Sequence, residues 1–275
     1  MTVLKSILEF LNSSMTTPQP YGWFHLLWFA LSIAFGIVLC VTHKKGDERR
    51  VRLVVLIVAI VVTILEIYKQ INFTFIAGEN GITADYQWYA FPFQFCSMPM
   101  YVGLLTGIFR RGKVHDALMA FLATYAMFGG TSVMFYPTTV FVPAIGINIQ
   151  TMICHGSMLS VAIYLWYSGY VKATHKTILK AMAVFGTAVI CAVILNESVF
   201  ASGILNGETF NMLFISRHFE PSLPVYSIIQ GVVPYPWCLP IYFAGFSAAA
   251  YVIVLLVMGI KKLVEIIKRS KRTAV

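Results

Sequence analysis

Charged residues are scarce in this chain. Asp, Glu, Lys and Arg make up only 11% of its 275 residues, whereas soluble domains carry roughly 25%. Apolar residues reach 59% and the mean hydropathy is +0.78, so an ordinary soluble domain is excluded. This composition predicts an all-α, polytopic membrane helix bundle that forms a single integral membrane domain over residues 1–275.

Cysteine is also sparse and carries no local pattern. The five cysteines include no CxxC and no spacing typical of paired loops, which excludes an obvious disulfide framework. No HExxH motif, internal repeat or cofactor-binding motif is present, so we predict no cofactor and no metal. The cysteines are Cys40, Cys96, Cys154, Cys191 and Cys238.

Long apolar segments are the dominant feature that is present. A helix needs about 20 apolar residues to cross a bilayer, and the chain has room for seven such segments joined by short loops. We therefore predict seven transmembrane helices, with ends uncertain by a few residues. Their ranges are 22–42, 51–70, 90–109, 115–135, 147–169, 177–197 and 237–260.

Basic residues alternate between the two sides of this predicted bundle. Of the 20 Lys and Arg residues, all but Lys5, Lys69 and Arg217 lie in the loops after spans 1, 3 and 5 or in the C-terminal tail. The positive-inside rule then places the N-terminus outside and the C-terminus in the cytoplasm of a cell-membrane protein. Because the +9 net charge is explained by topology, no nucleic-acid partner is predicted.

Three segments outside the predicted spans have their own character. Residues 1–20 contain an amphipathic helix that we expect to lie along the outer membrane surface. Residues 198–236 form a long extracellular loop rich in apolar residues and proline, and we expect it to pack on or dip into the outer leaflet. Residues 261–275 form a basic cytoplasmic tail.

Polar side chains concentrate in the predicted outer half of the bundle. Ionisable groups inside a membrane face the bundle interior or a cavity by default, and five helices contribute them here. We predict that they converge on one outward-facing pocket. The residues are His25, Glu66, Lys69, Gln94, Cys96, Asn148, Thr151, His155, Asn196 and Glu197.

Cys96 is the candidate nucleophile among these residues. Pro99 should kink the third span within a turn of Cys96, because a proline inside a helix removes a hydrogen bond and clashes with the preceding turn. A thiol in such an opened pocket, near an imidazole, can be deprotonated and become nucleophilic. Cys154 cannot serve the adjacent His155 directly, since neighbouring helical residues point about 100° apart.

An ordered set of short motifs carries a resemblance to a known family. FPFQFCSMPMYVGLL, IQTMICHGSML, NMLFISRHFEPSL and PYPWCLPIY occur in one order, with HLLWFAL and LEIYK before them. The set resembles the YwaF-like family of bacterial membrane proteins, related to transmembrane protein 164, a membrane acyltransferase. The resemblance implies a seven-helix bundle that transfers acyl groups of phospholipids or lysolipids through a thioester. It implies Cys96 as nucleophile and His155 as base, with His25, Glu66 and Asn211 at other recurrent polar positions.

The chain departs from that family pattern beside the cysteine. Many members read LPLHLCD where this chain reads FPFQFCS, so Gln94 replaces a histidine and Ser97 replaces an aspartate. In the enzyme hypothesis, Cys96 attacks a lipid ester, His155 moves the proton, and Gln94, Asn211 or backbone amides stabilise the oxyanion.

Three alternatives to a lipid acyltransferase or hydrolase stay open from the residues alone. A small-solute or ion transporter would need a polar path that continues to the cytoplasmic side, and the inner halves of the spans are apolar. A metal-dependent enzyme would need His25, Glu66, Cys96 and His155 to converge from four helices. Polar residues can also act purely as interhelical glue. The oligomeric state is left open.

Overall fold

The computed structural model describes residues 3–78, 81–137 and 140–273. These residues form ten α-helices and one small antiparallel hairpin, β1 (Phe75–Gly78) with β2 (Gly81–Ala84). The helices are α1 (Val3–Leu11), α2 (Trp23–Val41), α3 (Glu48–Asn72), α4 (Met98–Ile108), α5 (Lys113–Phe121), α6 (Met127–Phe135), α7 (Ile145–Tyr167), α8 (His175–Ala201), α9 (Pro224–Val232) and α10 (Cys238–Thr273).

Six helices in this part of the chain are long and apolar enough to span a membrane. They are α2, α3, α7, α8, α10 and one continuous helix, Lys113–Phe135, in which a π-helical turn (Leu122–Ala126) joins α5 to α6. The helical membrane architecture expected from composition is confirmed. The third predicted span, 90–109, is not among these six helices: it corresponds to the 11-residue α4 and the irregular segment before it, so the count of seven transmembrane helices is not confirmed.

That third segment nevertheless runs antiparallel to the whole of α3. At one end, Gln70 of α3 donates a hydrogen bond to the carbonyl of Ala90. At the other end, Arg111 forms an ion pair with Glu48, the first residue of α3. Between these points α4 packs closely on α3, at distances that leave no room for a side chain on Gly103. Residues 90–111 therefore pass from one end of the bundle to the other without forming one continuous helix.

The predicted kink at Pro99 is wrong. Pro99 is the second residue of α4, a position in the first helical turn where the missing N–H has no intrahelical partner to lose. Cys96 consequently lies just before the helix, separated from it by the N-cap residue Ser97. The segment opens beside the cysteine because the helix begins there, and no helix is bent.

Helix α7 is the centre of the bundle. It packs against α2, α3 and α6, and most of its side chains are buried. Small residues bring the backbones together: a Cβ on Gly130 of α6 would lie 2.7 Å from the carbonyl oxygen of His155, and one on Gly156 would clash with Ser32 of α2. Close approach at glycine is a common way for membrane helices to pack.

A buried loop closes the end of the bundle at which α3 ends and α7 begins, which we call the site end. Residues 210–216, which include the short 3₁₀ turn Met212–Phe214, are almost entirely buried. Leu213 and Phe214 both have positive φ values, +54° and +59°. Two consecutive side chains in this strained region persist only where surrounding contacts hold them.

Candidate functional site

Irregular backbone joins Ala90 to the start of α4, and side chains donate hydrogen bonds to three of the carbonyl groups in this segment. Inside a membrane, irregular backbone is tolerated only where protein or a cavity supplies hydrogen bonds. Gln70 donates to the Ala90 carbonyl at 2.8 Å, and Tyr101 donates to the Pro92 carbonyl at 2.7 Å. The Cys154 thiol lies 3.6 Å from the Cys96 carbonyl oxygen. Three side chains thus stabilise the irregular segment that carries Cys96.

Cys96 and Cys154 line one small cavity. The cavity measures about 30 Å³ and lies between α3, α4, the π-helical turn and α7. A site of this size can hold a water molecule. Ser157 is the third side chain with a polar atom in the lining, and its hydroxyl donates to the Cys154 carbonyl at 2.8 Å. The other lining residues are Val55, Val58, Ala59, Val62, Pro99, Met100, Gly103, Leu122, Ala126, Met158 and Val161.

A buried ion pair stands beside the cavity at the site end. The Lys69 Nζ lies 2.7 Å from Glu66 Oε1, and Glu66 is only 6% exposed. Gln70 and Gln150 also donate to the Glu66 carboxylate, at 2.8 and 3.4 Å. Both charges act electrostatically on Cys96. Because burying an isolated charge is costly, these additional hydrogen bonds are what make the pair tolerable here.

Tyr86 extends this network out of the helices. Its hydroxyl donates to Gln70 Oε1 at 2.8 Å. Burial, followed by the nearby charges of Glu66 and Tyr101, raises the pKa of Tyr86 to about 12. The phenol therefore stays protonated and remains a donor over the whole physiological range.

His155 is buried on α7 and is held in one tautomer. Its Nδ1 lies 2.8 Å from the Thr151 carbonyl oxygen, which can only accept, so Nδ1 carries the proton. In the neutral ring, Nε2 is then an acceptor, as a general base requires. The predicted Cys96–His155 pair is not joined by a hydrogen bond in the described residues.

Gln94 and Asn211 hold the buried loop. Gln94 Nε2 donates to the Asn211 carbonyl, and Gln94 Oε1 accepts from the Leu213 N–H, both at 3.0 Å. The Asn211 side chain accepts from the Ser216 N–H at 2.9 Å. Asn196 forms two hydrogen bonds with the backbone of Met212. The amides expected to stabilise an oxyanion are thus engaged in shaping residues 210–216.

His25 and Asn148 lie in a different part of the site end. His25 accepts from the Tyr21 N–H through Nδ1, so its Nε2 donates to the Met134 carbonyl at 2.9 Å. Asn148 forms two hydrogen bonds with the backbone of Val142. Both side chains fasten loops to helices, and their polar atoms are already used.

Sequence reasoning overlooked the polar stripe that faces Cys96. Gln150, Cys154 and Ser157 recur at spacings of four and three, so they lie on one face of α7. The predicted pocket instead included the neighbouring stripe of Asn148, Thr151 and His155. The overlooked pattern is as visible in the sequence as the chosen one, but only the packing of α7 shows which face meets α3 and α4.

The geometry also bears on the metal-site alternative. Both ring nitrogens of His25 are occupied by backbone groups, as described above. Across residues 3–78, 81–137 and 140–273, no group of three or more His, Cys, Asp and Glu residues is arranged to hold a metal ion.

Fold and site together define a multi-pass membrane protein with a half-buried thiol beside a buried ion pair. The model of the TMEM164 family matches residues 16–259, and the chain belongs to that family. This match confirms the predicted resemblance to transmembrane protein 164 over most of the chain. The YwaF-like part of that prediction is not tested by it. No curated protein and no solved structure matches significantly.

Proposed function

We propose that this protein is a membrane-embedded enzyme that transfers or hydrolyses lipid acyl groups, with Cys96 as the nucleophile. The observation that carries the proposal is the position of Cys96. It lies before the first turn of α4, lines a small cavity, and lies near the opposing charges of Lys69 and Glu66. Helix N-termini and nearby cations both favour a thiolate, whereas burial in an apolar cavity opposes it.

The chemistry proceeds through a thioester. Cys96 Sγ attacks the ester carbonyl carbon of a phospholipid, and the carbon–oxygen bond of the ester breaks. The thiol proton passes to the departing alkoxide by way of His155, whose Nε2 is the available acceptor. A lysolipid hydroxyl or water then attacks the thioester, the carbon–sulfur bond breaks, and the proton returns to the thiol. His155 approaches Cys96 through a bridging water or a side-chain rotation in this scheme.

The topology supports access from the outer leaflet. Residues 90–111 run the length of α3, so they act as the third of seven crossings in spite of the short α4. An odd number of crossings agrees with the alternation of basic loops, which places the N-terminus and the site end outside a cell membrane. A phospholipid in the outer leaflet would then reach the site from its own side of the bilayer.

Mass spectrometry of the intact protein tests the nucleophile. After reconstitution with phospholipid, the wild-type protein should carry an acyl mass on Cys96 that hydroxylamine removes, and Cys96→Ala should lack both the adduct and lipid turnover. Cys154→Ser is the matched control, because it removes the second thiol of the cavity but keeps a donor to the Cys96 carbonyl. We expect it to retain the adduct.

Two outcomes would overturn the proposal. Unchanged lipid turnover in Cys96→Ala, with no labile adduct on the wild-type protein, would exclude a cysteine enzyme. An adduct that persists in Cys96→Ala and disappears in Cys154→Ser would identify Cys154, and not Cys96, as the nucleophile. His155→Gln completes the set: it should slow acylation and deacylation, with a cost in stability inside the usual range of about 0.5–3 kcal/mol for one substitution.

A further inference from the structure

A second, larger cavity lies directly behind the thiol cavity. It is a groove of about 320 Å³, within the range of small-molecule pockets. Helices α2 and α3 form its walls and α7 forms its floor. The groove and the thiol cavity have three lining residues in common, Val58, Val62 and Ser157. These three side chains form a wall that the groove shares with the cavity of Cys96 and Cys154.

The walls of the groove are apolar and reach the surface. Leu31 and Phe35 on α2 are 48% and 40% exposed, and Ile57 and Val61 on α3 are 49% and 43% exposed. Both helices are candidate membrane spans. The side chains at the mouth therefore face hydrocarbon when the protein is in a bilayer, and the groove opens sideways between α2 and α3.

The floor contains hydroxyl groups, but their hydrogens are already used. Ser160 donates to the Ser32 carbonyl at 2.6 Å, or alternatively to the Gly156 carbonyl at 2.8 Å. Ser32 donates to the Trp28 carbonyl at 2.8 Å, and Ser157 donates within α7. Buried polar groups that have partners need no water. The groove therefore offers no free hydroxyl hydrogen from these three serines, which suits a hydrocarbon chain better than a polar solute.

We propose that this groove is the acyl-chain site of the enzyme, occupied by one fatty acyl chain of a phospholipid that enters laterally from the bilayer. The inference rests on the proposed function and adds the binding mode of the substrate. The ester end of the chain would lie at the shared wall, next to Cys96. The methyl end would lie toward Phe35 and Ile57, which line the end of the groove farthest from the site end.

Photo-crosslinking tests the occupant without requiring catalysis. The full-length Cys96→Ala protein is placed in nanodiscs that contain phosphatidylcholine with a diazirine near the end of one acyl chain. After irradiation, labelled peptides are mapped by mass spectrometry. We expect labelling on the floor residues 153–160 of α7, because α7 is otherwise the most enclosed of the spanning helices.

Two tryptophan variants on the same helix give the matched comparison. Ile57→Trp fills the far end of the groove and should reduce labelling of the α7 floor at least fivefold. Ile60→Trp is the control, since Ile60 is similarly exposed at 44% but does not line the groove. It should stay within twofold of the parent protein. Val61→Phe provides a second groove-filling variant should Ile57→Trp not yield folded protein.

The possible results separate this inference from the proposed function. Labelling confined to the outer faces of α3 and α10, or equal labelling in Ile57→Trp and Ile60→Trp, would overturn the acyl site. Protein–protein crosslinks through the groove would show that a second copy occupies it and would also overturn the inference. A labelled floor with no labile adduct on wild-type Cys96 would refute the enzyme proposal alone.

Discussion

Replacement of Gln94 by leucine should loosen the contact between the buried loop 210–216 and the segment that carries Cys96. The leucine fills a similar volume but removes two hydrogen bonds, one to the Asn211 carbonyl and one from the Leu213 N–H. Each bond contributes about 0.5–1.5 kcal/mol, and each stranded buried group costs about 1–3 kcal/mol. Allowing for partial relaxation, we expect a loss of about 2–4 kcal/mol, since Leu213 is fully buried.

Two assays report this loss in different ways. Thermal unfolding in nanodiscs should begin about 4–16 °C lower, because 1 kcal/mol corresponds to about 2–4 °C for a chain of this size. Alkylation of Cys96 by a maleimide, followed by mass spectrometry, should accelerate. If the loop opens about 2 kcal/mol more easily, the rate should rise about 30-fold, since 1.4 kcal/mol corresponds to a factor of ten.

Gln87→Leu is the control for this experiment. Gln87 belongs to the same segment and is also half-buried, but its side-chain oxygen accepts only from the exposed Tyr89 hydroxyl. It should leave both the melting temperature and the alkylation rate close to wild type. If Gln94→Leu behaves like Gln87→Leu in both assays, the clamp on residues 210–216 is not what holds the loop, and the reasoning fails.

Two further predictions concern the surroundings of the site. In Tyr86→Phe, the phenol with a pKa of about 12 should vanish from an absorbance titration. Because this pKa lies above the usual 10, the contribution of Tyr86 to stability is present below pH 10 and is lost toward pH 12. The free energy of unfolding of the variant should therefore depend less on pH in that interval. Gly130→Ala places a Cβ 2.7 Å from the His155 carbonyl oxygen and should cost about 1–3 kcal/mol in thermal unfolding. Gly186→Ala, whose Cβ meets Phe243 at an ordinary 3.5 Å, is its control; equal losses in the two variants would refute the close-packing explanation.

The long helices could be predicted from sequence because hydropathy alone decides them. The structure of residues 90–109 could not, since the two prolines of this segment leave the start of its helix open. Proline is favourable in a first helical turn and disruptive further in, so Pro99 permitted either a kinked helix from residue 90 or a helix that starts at Met98. The choice depends on donors to the irregular backbone from Gln70 on α3, Cys154 on α7 and Tyr101 on α4 itself.

The candidate site was likewise only partly predictable. Cys96, Glu66 and Lys69 could be selected because polar groups are rare in hydrocarbon, and the structure brings them to one region. The rotation of α7 was beyond sequence reasoning. It is fixed by close backbone contacts at Gly130 and Gly156, and these contacts turn Cys154 toward Cys96. Gln94 looked catalytic for the same reason that Cys96 did, because burial and polarity alone do not distinguish a clamp from a reacting group.

The interruption before α4 itself argues for a functional role of Cys96. A continuous helix over residues 90–108 would satisfy most of its backbone groups internally, and Pro99 would leave only the Phe95 carbonyl in its interior without a donor. The observed arrangement instead needs donors from three other residues, and it is bordered by a π-helical turn at Leu122–Ala126, a feature often found at functional sites. What this arrangement achieves is to place the Cys96 thiol ahead of a helix N-terminus, where the dipole and Lys69 act together. A cysteine in mid-helix would face the same burial and the same opposing charges of Lys69 and Glu66 without the help of this dipole.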